Sequence, residues 1–329
     1  MSVTKFVSVT KFVAATATAV MLSGAAYAQT VGFTTLQPGS INHIKAQVIG
    51  KVVQQKSGLQ VRVIPVAGTT ATVAAVQNKQ AEFTIGDAAN MTDAVAGRNQ
   101  FAKLKPMSDL RIVTKLGDFA IGFMVRKDSG LKTIADLKGK KFPIGWQAFP
   151  QGIPLSLAIF ATAGMTLDDT NGINTSGLIT AANDFKAGKL DATMFALPAP
   201  KVREVDAAIG GVRWLSLPND GAALKAVQSI RSAFTVMTVK PNPGAVGVTE
   251  PTNFLNVPSL ISAGVSVPED VVYKFTKAMV ENKADLVKGH PSFRGYRIDK
   301  SMTDQFAGAQ YHAGAIKYYK EKGLWQGGS

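Results

Sequence analysis

The sequence has no cysteine among its 329 residues, and it has only three histidines and three tryptophans. The lack of cysteine excludes a disulfide framework, a thiolate metal site and a lipid-modified N-terminal cysteine. After the first 28 residues, no run is long and apolar enough to span a bilayer. The folded chain must therefore be held together by its hydrophobic core, and 46% apolar residues suffice for two compact lobes.

Acidic residues are the scarcer charge, with 22 against 36 basic ones, which gives a formal net charge of +14. The basic residues are scattered and are not interleaved with stacking aromatics, so nucleic acid is not an expected partner. The basic excess is typical of a solvated surface, or it steers an anion toward a cleft.

Motifs of common enzymes are also missing. The sequence contains no nucleophile elbow, zinc-protease pattern or phosphate-binding loop, and His43, His290 and His312 are too far apart to suggest a metal site. We therefore expect no catalytic residue, no metal and no cofactor.

The N-terminus has the pattern of a cleavable secretory signal peptide. Lys5 and Lys11 provide its positive region, residues 12–24 are apolar or small, and Ala26 and Ala28 match the small-x-small pattern of signal peptidase sites. The alternative, a membrane anchor, needs about 20 continuous apolar residues. This stretch is shorter and polar residues interrupt it, so we predict export and cleavage after Ala28.

Short β-like runs alternate with helical patterns from the predicted cleavage site onward, which predicts an α/β fold with largely parallel sheets. The predicted strands include residues 31–35, 59–66, 82–86, 110–116, 120–125, 141–145 and 190–195. The predicted helices include residues 41–56, 70–78, 153–163, 181–187, a helix that starts at Pro268, and residues 302–322.

The pattern restarts after residue 129, which indicates two lobes built on one plan. We predict that residues 29–127 and 258–329 form lobe I and that residues 128–257 form lobe II. The second lobe is then an insertion in the first, and the two chain crossings form a hinge.

Seven segments occur in an order that resembles a known family. They are QPGS at residues 37–40, VAGTT at 66–70, QAEFTI at 80–85, LKTIADLKGK at 131–140, KAGKLDA at 186–192, VPEDVVYKFTK at 267–277 and HAGAIKYY at 312–319. Together they resemble the TAXI-type solute receptors of TRAP transporters, through nearly the whole chain after residue 28.

The resemblance implies a bilobal type II periplasmic-binding-protein fold that closes on a ligand and presents it to a membrane permease. Ligands of that family are small and often bear a carboxylate. The expected partners are thus a small organic anion or amino acid and the TRAP permease subunits, for a monomeric receptor in the periplasm.

The sequence departs from this family at the ligand loops. Asn42 and His43 stand where such receptors usually carry a Tyr pair, and Asp87 stands where they usually carry a neutral amide. The second-lobe loop, usually rich in Gly and Ser, is WQAFPQG at residues 146–152 and includes Trp146, Gln147 and Gln151. These differences affect the expected ligand more than the fold.

Helix N-termini on the walls of a cleft attract a carboxylate through their free N–H groups and the positive end of the helix dipole. Three such openings are predicted, at Thr69 and Thr70, at Gln151, and at Pro198. Ser40 and Asn42 open the first helix in the same way. Thr69 or Thr70 has an alternative role as the cap of its helix.

Asp87 and Trp146 have two possible roles each. If Asp87 faces the cleft, it repels a simple dicarboxylate and favours an ammonium or hydroxyl group; if it caps the following helix, it says nothing about the ligand. Trp146 either walls an apolar part of the ligand or packs in the core.

Two alternative functions follow from the same residues. One is a receptor for an ABC importer of the sulfonate or nitrate type, and the other is an exported hydrolase. Saturable, stoichiometric binding without turnover distinguishes a receptor from the hydrolase.

Overall fold

The computed structural model describes residues 1–3, 29–306 and 308–327. The predicted signal peptide, apart from its first three residues, lies outside these ranges. Within them, no helix has the length and apolarity needed to cross a membrane.

The chain begins with alternating strands and helices and then enters a long strand. These elements are β1 (Thr30–Leu36), α1 (Ile41–Ser57), β2 (Gln60–Val66), α2 (Thr69–Gln77), β3 (Phe83–Asp87), α3 (Ala88–Ala96) and β4 (Leu110–Arg126). A second series follows, with β5 (Lys141–Ile144), α4 (Gly152–Ala161), β6 (Asn171–Asn174), α5 (Leu178–Lys186), β7 (Ala192–Ala196), α6 (Pro200–Ile209), β8 (Val212–Leu215), α7 (Gly221–Ile230) and β9 (Thr235–Val239).

A second long strand returns the chain to the first series of elements, and helices close the structure. These elements are β10 (Thr252–Gly264), α8 (Glu269–Glu281), α9 (Lys283–Gly289) and α10 (Ala313–Glu321).

The long strands β4 and β10 join the two halves of the molecule. They pair with each other in antiparallel fashion from Leu110 opposite Gly264 to Ile121 opposite Leu255. One half of β10 pairs with β3 and the other half with β9, while β7 and β8 pair with the far half of β4. Strands β1, β2 and β3 are parallel, as are β5 and β6. The expectation of largely parallel sheets is thus wrong for β4 and β7 to β10, because the two crossing strands run in opposite directions.

Two hydrophobic cores lie on either side of this crossing. In the first, Phe33, Phe83 and Phe275 pack together, with the Phe83 and Phe275 rings stacked at a centroid distance of 4.1 Å. In the second, the ring centroids of Phe123, Phe142 and Phe160 lie within 5.0 Å of one another. The elements around these cores form the first and the second lobe.

The core residues of β4 and β10 show where each strand passes from one lobe to the other. Along β4, Leu116 belongs to the first core and Phe119 to the second; along β10, Val257 belongs to the second core and Leu260 to the first. The ladder between the strands is irregular at Ser259, opposite Gly117, whose φ of 110° is a conformation that favours glycine.

Local capping chemistry explains where the helices near the crossing begin. The Ser40 hydroxyl accepts a hydrogen bond from the His43 backbone N–H (3.2 Å), so α1 starts at Ile41. The Asp87 carboxylate accepts a hydrogen bond from the Asn90 N–H (2.8 Å) and starts α3. Both helices end at glycines in the left-handed region, Gly58 and Gly97.

Two sequence predictions about elements are wrong. The two strands predicted at residues 110–116 and 120–125 are one continuous strand, β4, because its residues pair with β10 on both sides of Gly117. The helix predicted over residues 302–322 is confined to Ala313–Glu321. Before it, Asp299 caps a short 3-10 turn, and the backbone at Tyr311 is extended and bridges to Ile112.

Candidate functional site

A cavity of about 50 Å³ lies between the two lobes, and its lining comes from both. Its polar lining residues are Ser40, Asn42, Thr69, Asp87 and Gln151. Its apolar lining residues are Leu36, Ile41, Phe119, Ile121, Phe149, Leu155, Leu178, Met194, Phe195, Ala196 and Val257. Among the described residues, no Lys, Arg or His side chain lines it.

Five helices begin at the wall of this cavity. The lining includes Ser40 at the start of α1, Thr69 at the start of α2, Asp87 before α3, Gln151 before α4 and Leu178 at the start of α5. The first backbone N–H groups of a helix have no partner within the helix, and the helix dipole makes this end positive. These helix ends therefore contribute a positive potential at the cavity without any basic side chain, and the Asp87 carboxylate opposes it.

Two polar side-chain atoms at the cavity are buried without a hydrogen-bond partner in the described part of the chain. They are Asn42 Oδ1 and Thr69 Oγ1, on residues that are 5% and 4% exposed. Most buried polar groups in proteins are hydrogen-bonded, because burying such a group unpaired costs about 1–3 kcal/mol. These two atoms are therefore suited to contact a polar solute.

Asp87 is the acidic residue of the cavity and is only 8% exposed. Its carboxylate caps α3 and also contacts the second lobe, since Gln151 Nε2 lies 3.1 Å from Oδ1 and 3.3 Å from Oδ2. Burial raises the pKa of this carboxyl to about 6, although the hydrogen bond from the Asn90 N–H acts in the opposite direction. Asp87 thus both lines the cavity and caps α3, whereas its preference for an ammonium or hydroxyl group stays a prediction.

A short chain of side-chain amides extends the contact between Asp87 and Gln151. Gln100 Nε2 lies 3.1 Å from Gln151 Oε1 and 2.8 Å from Asn90 Oδ1. Gln151 thereby accepts a hydrogen bond from Gln100 and donates to Asp87, which fixes the orientation of its amide. The amides and the carboxylate join the N-termini of α3 and α4.

A buried ion pair joins the same two lobes nearby. Arg231 Nε, after α7, lies 3.0 Å from Asp93 Oδ2 on α3. The side chains are 18% and 3% exposed, respectively. Arg98 Nη2 lies 3.7 Å from the other oxygen of Asp93, but its side chain is 62% exposed.

The backbones of the two lobes also touch beside the cavity. A Cβ atom added to Gly68, just before α2, would overlap the carbonyl oxygen of Ala148 in the loop before α4. The backbone of Gly68 is extended, with φ −151° and ψ 164°, a conformation that any residue adopts. Only the approach of the second lobe therefore requires glycine here.

The structure brings together five of the nine residues that the sequence indicated for ligand binding. Ser40, Asn42, Thr69, Asp87 and Gln151 line the cavity between the lobes. Whether they bind a ligand stays a prediction.

The other four residues lie elsewhere. Trp146 is fully buried in the second core, where its ring packs on Phe149, so it does not line the cavity. Gln147 is exposed and Thr70 does not reach the cavity wall. Pro198 lines a different pocket, because α6 begins at Pro200 and does not face the cavity between the lobes.

Sequence reasoning missed most of the apolar wall. Phe119 and Ile121 come from β4, Met194 and Phe195 from β7, and Val257 from β10. Apolar strand residues have the same pattern whether they pack in a core or face a ligand, so no local signal distinguishes them.

Two α/β lobes that are joined by two crossing strands, with helix N-termini around a cavity between them, define the fold of bilobal periplasmic binding proteins. The chain is similar to a solved structure described as a periplasmic transporter, with a TM-score of 0.58 and 17% identity over 92% of this chain and 95% of that one. The chain belongs to the NMT1-like family, whose model matches residues 43–323.

Two further solved structures have the same fold. PhnD1 from Prochlorococcus marinus in complex with methylphosphonate gives a TM-score of 0.55 at 12% identity, over 90% of this chain and 98% of that one. A binding protein component of an ABC phosphonate transporter from Pseudomonas aeruginosa gives 0.52 at 10% identity, over 82% and 80%. At such low sequence identities the comparisons establish the fold alone. They confirm the bilobal fold that the sequence predicts.

Proposed function

We propose that this chain is an exported receptor that captures a small organic solute between its lobes and delivers it to a membrane transporter. The observation that carries the proposal is the convergence of five helix N-termini, contributed by both lobes, on one buried cavity. A solute held there contacts both lobes at once. Its binding energy then favours the closed arrangement over an open one.

The cavity favours a solute with both an anionic group and a hydrogen-bond donor. The helix N-termini suit a carboxylate or a similar anion. Asp87 suits an ammonium or hydroxyl group, and such a donor offsets the unfavourable burial of its carboxylate. The ligand class that meets both conditions is a small amino acid or an amine-bearing organic anion, with an apolar part against Phe119 and Phe195.

Closure is proposed as a movement about the β4 and β10 crossing. In this proposal residues 29–127 and 258–329 move as lobe I and residues 128–257 as lobe II. The cavity of about 50 Å³ has room for only a few atoms of the size of water. A solute of several heavy atoms therefore enters with the lobes apart and holds them slightly farther apart than in this structure.

The transporter partner is proposed on two separate grounds. The ordered sequence segments that resemble TAXI receptors support a TRAP-type permease. The fold shared with ABC phosphonate-binding proteins supports the second candidate, an ABC importer. Reconstitution with the permease encoded nearest to this gene distinguishes them, because only an ABC importer hydrolyses ATP when the loaded receptor docks.

Location in the periplasm is part of the proposal and rests on the signal pattern of residues 1–28. Expression of the full chain in a Gram-negative host and N-terminal sequencing of the exported protein test it. The expected N-terminus is Gln29. Retention of Lys5 and Lys11 in the recovered protein would contradict cleavage after Ala28.

Thermal-shift screening tests the receptor function. The chain is screened against amino acids, carboxylates, phosphonates and sulfonates, since a ligand that binds only the folded state raises the melting temperature. At a ligand concentration 100 times its Kd, the stabilisation is about 2.7 kcal/mol. The ligand should be recovered unchanged, which excludes the hydrolase alternative. Failure of every class to shift the melting temperature contradicts the proposal.

A further inference from the structure

A second cavity, of about 350 Å³, shares the lining residue Phe119 with the cavity between the lobes. Its charged and titratable lining residues are Lys45, Asp118, Arg203, His290 and Arg294. They come from α1, β4, α6 and the segment after α9, so distant parts of the chain build this cavity. Three of them are cations, whereas none lines the cavity between the lobes among the described residues.

Lys45 is the most unusual member of this set. It is 2% exposed, and among the described residues its ammonium group forms neither a hydrogen bond nor an ion pair. Its Nζ lies 4.8 Å from the centroid of the Phe119 ring and 6.0 Å from that of Phe293. These ring contacts offset only a small part of the unfavourable burial of an ammonium group.

Two other enclosed cations of the described chain have carboxylate partners. Lys201 places Nζ 2.7 Å from Glu204 Oε1, and Arg231 is paired with Asp93. Arg203 and Arg294 are exposed, unlike Lys45, and within the described ranges neither forms an ion pair or a side-chain hydrogen bond. Three cations without hydrogen-bonded partners thus line one cavity, and only Asp118 opposes them there.

His290 reports on the electrostatic potential in the cavity. Burial lowers the pKa of its imidazole, and the positive charges of Lys45 and Arg203 lower it further. Its Nδ1 accepts a hydrogen bond from the Ser292 backbone N–H (3.3 Å), so the neutral ring carries its proton on Nε2 as a donor. His290 thus adds a hydrogen-bond donor to the residues that line this cavity together with Lys45 and Arg203.

We propose that this cavity is a second binding site, which takes a small dianion with oxyanion groups. Lys45, Arg203 and Arg294 bind the charge, His290 donates from Nε2, and Asp118 limits the net positive charge to two. Guanidinium groups bind both carboxylates and phosphates in bidentate fashion. The shared chemistry is thus a doubly charged oxyanion, from either a phosphate or a dicarboxylate.

The site is independent of the proposed receptor function, because no residue named for it except the Phe119 wall belongs to the first cavity. Of its charged residues, Lys45 lies on α1 of the first lobe and Arg203 lies on α6 of the second lobe. A bound dianion therefore bridges elements of both lobes through Lys45 and Arg203.

Calorimetric titration of the purified chain at low ionic strength tests this site. The probes are inorganic phosphate and succinate, with the monoanion propionate as the comparison. One equivalent of phosphate or succinate should bind, and propionate should bind at least about tenfold more weakly. Preference for phosphate or for succinate identifies the source of the dianion. Absence of binding by both dianions at millimolar concentration overturns the proposal.

Variants locate the site. Arg203→Gln and Arg294→Gln change exposed side chains and should each weaken dianion binding about tenfold. Arg62→Gln removes an exposed cation on β2 that lines neither cavity, and Thr69→Val alters the first cavity; neither should change the affinity. An equal loss in Arg62→Gln, or a loss in Thr69→Val alone, overturns the proposal.

Discussion

The Gln151 side-chain amide of the second lobe donates a hydrogen bond to the Asp87 carboxylate of the first lobe, with Nε2 3.1 Å from Oδ1 and 3.3 Å from Oδ2. The contact joins the start of α4 to the start of α3 across the cavity. Its acceptor is a buried carboxylate that, within the described part of the chain, has neutral donors but no hydrogen-bonded cation. A solute that brings a positive charge or a further donor to Asp87 therefore strengthens the association of the two lobes.

The raised pKa of Asp87 predicts a pH dependence of stability. Burial raises this pKa to about 6, against about 3.9 for an unfolded chain, so the folded state binds more protons between these values. Stability from this group is therefore greatest below pH 4 and falls as the pH rises through 6, by on the order of 2–3 kcal/mol. Asp87→Asn should remove this component from denaturant unfolding curves measured between pH 4 and 7.

Asp128→Asn is the matched control, because the Asp128 side chain is 77% exposed. It should leave the pH dependence as in the wild type. An unchanged pH dependence in Asp87→Asn would show that the Asp87 carboxylate is not buried in solution.

Gly68→Ala tests the close contact of the two lobes. The added Cβ meets the Ala148 carbonyl oxygen only when the lobes are as close as in this structure, and the Gly68 backbone itself tolerates alanine. We expect a larger radius of gyration of the solute-free variant by small-angle X-ray scattering. Gly130→Ala, where a Cβ meets nothing within 4 Å, is the control. Equal compactness of both variants would contradict closure at this contact.

Much of the site follows from local chemistry that is visible in the sequence. Ser40 is predicted because a short polar side chain before an apolar helical pattern caps a helix, and a helix cap borders an anion site. Asp87 is singled out because it stands at a strand end where the family that the chain resembles usually carries a neutral amide. Gln151 followed for a similar reason, from a glycine at the start of a helix. The same reasoning predicts Pro198 as well, but Pro198 lies outside the cavity between the lobes. The direction of α6 relative to that cavity depends on the packing of the second lobe, which the local sequence does not reveal.

The remaining features depend on contacts between distant residues. Lys45 is indistinguishable in sequence from the exposed Lys51 on the same helix, and only the packing of β4 and of the segment after α9 buries it. The continuity of β4 through Gly117 likewise requires the partner strand β10, which lies far along the chain. Neither the burial of Lys45 nor the continuity of β4 can be predicted from the local hydrophobic periodicity.

The buried ion pair between the lobes should contribute measurably to stability. Arg231→Gln leaves Asp93, 3% exposed, without its closest cation. Removal of one partner of a fully buried pair costs about 3–5 kcal/mol, and the partial exposure of Arg231 reduces this to roughly 2 kcal/mol. Chemical denaturation measures the loss, and adding Asp93→Asn to the variant should recover part of it. No recovery in the double variant would contradict a direct coupling of the two side chains.

Lys45→Met should stabilise the protein near neutral pH. Burial lowers the pKa of Lys45 to about 8, whereas an unfolded lysine has a pKa of about 10.4. Between these values the unfolded state binds more protons, so the contribution of Lys45 to stability rises with pH and its penalty is greatest below pH 8. The advantage of Lys45→Met over the wild type in urea unfolding should therefore shrink between pH 8 and 10. Lys51→Met on the exposed face of α1 should show no such trend, and an equal trend in it would contradict the burial of Lys45.

The central claim is that the cavity between the lobes holds a solute with an anionic group at the helix N-termini and a donor at Asp87. Calorimetry with an amino acid found by screening, and with the same molecule lacking its amino group, tests it most directly. In the wild type the amino acid should bind at least about tenfold more tightly, and Asp87→Asn should abolish most of that preference. Equal affinity for the two molecules in the wild type, or an unchanged preference in Asp87→Asn, would contradict the claim.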